Sequence, residues 1–182
     1  MADDFSRLVS LACHDLRTPL ATVQGFAKTM LRMDELDEQK RIRYLGLIDT
    51  SAEELASLLD LLSLAARIEG GRYEPVVREV DPLSLAPEDA TGTGSTVRVD
   101  PEPVERALAA LRRAAARHGG VDVAVSVDGP RIVLAPVVAA AAPVVLGEEM
   151  KDLGAAVAVR LVRALGGQVA LEGERLVVTL PA

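Results

Sequence analysis

The sequence predicts an α+β fold: a helical hairpin that pairs with a second copy into a dimeric four-helix bundle, followed by a small two-layer α/β sandwich. Three observations carry this. Apolar residues recur in steps of three and four through two long stretches, the spacing of one helix face. The texture then changes at Gly70 and Gly71 to Pro, Gly, Thr and Asp with short valine runs. Beyond that point, strand-like runs alternate with two further helical stretches, the order expected of helices laid on a sheet.

The first helix is predicted over residues 5–32, with Phe5, Leu8, Ala12, Leu16, Pro19, Val23, Phe26 and Met30 on one side. The acidic turn MDELDE reverses the chain, and a second helix over residues 37–69 ends at GlyGly. Leu45, Ile48, Ala52, Leu55, Leu59, Leu62 and Ala66 form a heptad-like seam along it. Two helices of roughly 45 Å cannot bury both stripes against each other alone, which is the argument for a homodimer.

In the remainder, strands are predicted near residues 76–80, 96–99, 121–127 and 131–135, the last two joined as a hairpin by AspGlyPro. Helices are predicted over 101–117 and 151–165, with an Ala- and Pro-rich loop between them and two closing strands around GluGlyGlu at 172–174. The segment TGTGST is expected to be a flexible loop, since its glycines lack the Lys of a phosphate loop. Residues 1–71 and 72–182 are therefore expected as separate domains.

Composition narrows the function. A net charge of -7 speaks against a nucleic-acid partner. No run approaches the roughly 20 apolar residues that span a bilayer, and the acidic start MADDFSRL is unlike a signal peptide, so a cytoplasmic protein without a membrane partner is expected. One cysteine, Cys13, and two histidines, His14 and His118, leave no disulfide and no histidine-rich metal site. His118, before a GlyGly at a helix end, is assigned a structural role.

The run HDLRTPL concentrates the chemistry. His14 lies about 200° from Ala12 and from Leu16 and so projects away from the apolar stripe. A neutral imidazole is a competent nucleophile near neutral pH. Asp15 is placed to accept a proton or orient the ring, Thr18 lies one turn on, Arg17 offers a guanidinium suited to phosphate, and Pro19 removes a helical hydrogen bond and should bend the helix.

HDLRTPL resembles the phosphoacceptor box of sensor histidine kinases, and LLSLAARIEGG is similar to the close of their dimerisation hairpin. The resemblance implies that His14 is phosphorylated, that Asp15 assists the transfer and that Thr18 acts in dephosphorylating a partner. The remainder resembles the family's ATP-binding domain in outline only. Ala110 and Ala114 stand where it has Asn, the second being the expected Mg²⁺ ligand, and RIVLAPVV lacks its Asp and glycine-rich box. Met150 and Asp152 replace glycines of the phosphate cradle, while Gly154 is kept.

A degenerate ATP-binding domain behind an intact phosphoacceptor box is similar to the histidine phosphotransferases of bacterial phosphorelays. The expected function is therefore phosphoryl relay between receiver domains through His14, with Asp15, Thr18 and Arg17 assisting. The expected cofactor is none, Mg²⁺ arriving with the receiver. Expected partners are a second copy, response-regulator receivers and a sensor kinase. A non-catalytic pseudokinase adaptor and a receiver phosphatase are the alternatives, and an ATP-dependent kinase is ranked last.

Overall fold

A computed structural model describes residues 2–33 and 37–182, and the side chains from Asp4 onward. Of the predicted reversal MDELDE, Asp34, Glu35 and Leu36 lie outside the described residues. The chain forms two compact units, residues 1–63 and 64–182.

The first unit is built from two long helices, α1 (Ala2–Arg32) and most of α2 (Glu38–Glu69). Pro19 sits inside α1, which runs on through it. Leu8, Ala12 and Pro19 are buried on one side of α1, and the rings of Phe26 and Tyr44 meet at 5.1 Å between the two helices. Asp37 precedes α2, and its carboxylate accepts the Lys40 N–H, a capping arrangement that holds its pKa below the ordinary carboxylate range. Of the predicted seam of α2, Leu45 and Leu59 are half exposed in a single chain while Ile48, Leu55, Leu62 and Ala66 are partly buried, and Ile42, outside the predicted seam, is more exposed still.

GlyGly ends α2 as its composition suggests. Gly71 takes φ +63, and the Arg72 N–H returns to the Arg67 carbonyl across the last turn, the closing bond of a Schellman cap. The end of α2 belongs to the second unit, where Glu69 accepts from the Arg160 guanidinium at 3.0 Å.

The second unit is a two-layer sandwich. Its five-stranded sheet comprises β2 (Thr91–Gly94), β4 (Ala124–Gly129), β5 (Arg131–Ala135), β6 (Gln168–Glu172) and β7 (Arg175–Thr179), in the order β2-β4-β5-β7-β6. All pairs are antiparallel except β2 with β4. A separate antiparallel pair, β1 (Arg78–Val80) and β3 (Val97–Val99), lies beside it. Helices α3 (Pro101–Gly119), α4 (Ala142–Val145) and α5 (Leu153–Ala164) complete the unit.

Alternation along the strands separates the faces. Val125, Val127, Ile132, Leu134, Leu176 and Val178 join Leu108, Leu111, Val159 and Val162 of the helices in one core. Burial of such side chains is worth roughly 25 cal/mol per Å² of apolar surface, and here almost all of it comes from Val, Leu and Ala.

Two expectations need correction. TGTGST is not a free loop: its first four residues form edge strand β2, parallel to β4. The glycines are what admit this pairing, because a Cβ on Gly92 would lie 2.0 Å from the Val127 carbonyl oxygen and one on Gly94 1.8 Å from Asp81 Oδ1. The Ala- and Pro-rich loop contains the short α4, and a 3-10 turn at Pro82–Leu85 also escaped the sequence reading, its Asp81 cap accepting the Leu83 N–H at 2.8 Å.

Candidate functional site

The first half of α1 separates a buried side from a solvent side, and His14 falls on the latter. Leu8 and Ala12 are fully buried, while the His14 side chain is 77% exposed. Asp15 is turned far enough back for its Oδ1 to lie 3.2 Å from His14 Nδ1. In the tautomer that carries its proton on Nδ1, the ring donates to Asp15 and the lone pair on Nε2 points outward. A carboxylate behind the ring also favours any positive charge that builds on the imidazole when Nε2 forms a bond.

Arg17 and Thr18 are exposed one turn further on and line an open groove of about 660 Å³ that continues past Thr22, Gly25 and Phe26. Its wall is tied together locally, since the Thr22 hydroxyl donates to the Thr18 carbonyl at 3.2 Å. The structure thus brings His14 and Asp15 into contact and sets Arg17 and Thr18 at the end of a groove. Pro19 directs its ring to the buried side and has no N–H to offer the Asp15 carbonyl.

In the second unit the residues noted at the Asn and glycine positions meet along the seam between α3 and α5. Ala110 and Ala114 of α3 are 4% and 0% exposed. A Cβ on Gly154 would stand 3.1 Å from the Ala110 methyl, so the helices already touch. Asp152 caps α5: Oδ1 accepts the Ala155 N–H at 2.9 Å, and Oδ2 accepts from the Arg117 guanidinium of α3. His118, in the last turn of α3, places Nε2 3.7 Å from the same oxygen, with no hydrogen-bond partner among the described residues.

The sequence reading has Asp152 only as a replacement for a glycine of the phosphate cradle and misses that it is a cap and a tie between helices. Its position directly before an apolar helical run was the available signal. Its pairing with Arg117, 35 residues away, had none. Among the described residues no group of three or more His, Cys, Asp and Glu side chains is arranged to hold a metal, and no helix is long and apolar enough to cross a membrane.

Comparison with known proteins agrees with the reading of α1 and α2. Residues 6–71 match the His Kinase A (phospho-acceptor) domain, so the chain carries that domain. The sensor protein kinase PmrB of Pseudomonas aeruginosa is 32% identical over 80 residues, and a sensor-like histidine kinase of Rhizobium meliloti is 31% identical over 74. These matches cover 44% and 40% of the chain but span only 16% and 14% of the relatives. The fold is similar to that of the Acinetobacter baumannii histidine kinase AdeS, with a TM-score of 0.63 at 21% identity over 92% of this chain and 95% of that one. It is also similar to full-length ShkA in complex with AMPPNP, with a TM-score of 0.56 at 21% identity over 97% of this chain and 45% of that one.

These relatives correct the functional expectation. Relay between receivers is the first expectation, with adaptor and phosphatase as alternatives and a histidine kinase last; the relatives in sequence are a sensor protein kinase and a sensor-like histidine kinase, and the similar structure of AdeS is that of a histidine kinase. The physical reason is that three altered stretches of side chains leave the architecture intact. The hairpin and the two-layer unit that follows it match those of the similar structures in fold, and side-chain losses in the second unit do not by themselves make the first a relay between receivers.

Proposed function

We propose that the chain is the signalling core of a histidine-kinase-type protein of a two-component system, in which His14 takes up a phosphoryl group and delivers it to the aspartate of a response-regulator receiver. One observation carries this reading: an exposed imidazole on the solvent side of a rigid helix, its Nδ1 against the Asp15 carboxylate and its Nε2 free to react. Attack by the Nε2 lone pair on the donor's phosphorus forms a P–N bond as the bond from phosphorus to the donor's leaving group breaks and that group departs with its electron pair, while Nδ1 keeps its proton toward Asp15. Transfer onward forms a P–O bond to the receiver's aspartate carboxylate as the P–N bond breaks, which regenerates the neutral ring. Phosphoryl transfer gains chiefly from positioning and charge stabilisation, and Arg17 and Thr18 are placed to meet phosphoryl oxygens at the groove. Magnesium travels with the receiver, and the reaction belongs in the cytoplasm, where receivers reside.

The exposed seam residues Leu45 and Leu59, with Ile42 one turn before Leu45, support pairing of two hairpins into a four-helix bundle. The test uses phosphoramidate, a small donor that modifies histidine without a kinase. Wild-type protein should gain acid-labile phosphate and pass it to an added receiver domain. His14→Gln should gain none, and Asp15→Ala should be labelled more slowly. Equal labelling of wild type and His14→Gln would remove His14 from the reaction.

A further inference from the structure

The α3–α5 seam bears on where the phosphoryl group comes from. Histidine kinase folds imply ATP with Mg²⁺ in the second unit, so its residues can be tested against that ligand. A divalent cation of this kind needs oxygen ligands, and the buried side of α3, where Ala110 meets Gly154 of α5, presents Ala107, Ala110, Leu111 and Ala114, all hydrocarbon. A polyphosphate needs free backbone N–H groups and cationic charge. At the start of α5 the Ala155 N–H is committed to Asp152, and the Arg117 guanidinium is committed to the same carboxylate. A third requirement is space, and Gly154 against the Ala110 methyl leaves none between the helices. The internal carboxylate of Asp152 thus occupies the place and uses the partners that an anionic ligand would need, and its own charge repels one.

We infer that the second unit is closed to nucleotide and that the phosphoryl group for His14 comes from ATP held by a different polypeptide, a histidine kinase with an intact nucleotide site. The reaction is then the breaking of the terminal P–O bond of that ATP, departure of ADP, and formation of the P–N bond at Nε2 of His14. This inference rests on His14 being the acceptor, as proposed above.

The experiment keeps the two claims apart. Isothermal titration of the full chain with Mg-ATP should show no saturable heat at millimolar nucleotide, and radiolabelled ATP alone should leave His14 unlabelled. Addition of a sensor kinase whose own phosphoacceptor histidine is changed to Gln should bring label to wild-type chain and not to His14→Gln. Circular dichroism and labelling by phosphoramidate show that the same preparation is folded and reactive. Micromolar ATP binding, or labelling of the chain by ATP alone, overturns the closed site while leaving His14 as acceptor. Failure of the kinase mixture with success of phosphoramidate overturns the trans donor, and failure of phosphoramidate overturns the acceptor reading itself.

Discussion

Replacing Asp152 with Ala removes the cap of α5 and the tie between α5 and α3 in one step. Loss of a side-chain N-cap costs about 1 kcal/mol, within a range of roughly 0.5–2. The Arg117 bond adds less than a buried ion pair would, because the Arg117 side chain is 66% exposed and solvent screens it; about 0.5 kcal/mol is appropriate. The sum is about 1.5 kcal/mol for the unit of residues 64–182, which for a domain of this size lowers the melting temperature by roughly 5–8 °C. Asp152→Asn keeps an oxygen for the Ala155 N–H and gives up only the charge, so it should cost about 0.5 kcal/mol. Arg117→Ala should match the Asn variant. Urea unfolding followed by circular dichroism measures all three, with the two units fitted as separate transitions where they separate. Stability of Asp152→Ala within about 0.3 kcal/mol of wild type would refute the cap, given the usual cost of its loss. An Asn variant as damaged as the Ala variant would refute the division between cap and charge.

Alkaline pH should expose Tyr73: burial raises its pKa well above the ordinary tyrosine range, and its hydroxyl donates to Asp100 Oδ2 at 3.0 Å. Because the folded value is the higher one, this contribution is complete below pH about 10, the unfolded value, and is lost as pH rises beyond it. Tyr73→Phe should cost about 1 kcal/mol at neutral pH and flatten the alkaline decline; an equally steep decline in the variant would assign it elsewhere. Sedimentation at micromolar concentration should show a dimer, and Leu59→Asp, at a half-exposed seam position, should weaken it by about 3 kcal/mol, roughly a hundredfold in dissociation constant. A wild-type monomer would sink the bundle.

What could be read from the sequence divides along the range of the interactions involved. Strand β5 spans residues 131–135 as expected, and its hairpin with β4 follows from AspGlyPro, because a local turn and local alternation specify both. Exposure of His14 was legible for the same reason, being an angular offset within one helix. The 3.2 Å contact of Asp15 with Nδ1 was not, since neighbours on a helix point about 100° apart and only their rotamers close the gap. Strand β2 was missed because its partner β4 is distant in sequence and its glycines, normally loop residues, are required by the Val127 carbonyl and Asp81 pressed against them. Asp152 combines both cases. As a cap it is local and readable, whereas the Arg117 bond that closes the seam is formed only when α3 and α5 pack, and the same packing turns Ala110 and Ala114 from missing ligands into necessary small residues. Restoring Asn at Ala114 would therefore bury an amide where there is no exposed surface, so recovery of a cation site there requires α3 and α5 to move apart as well.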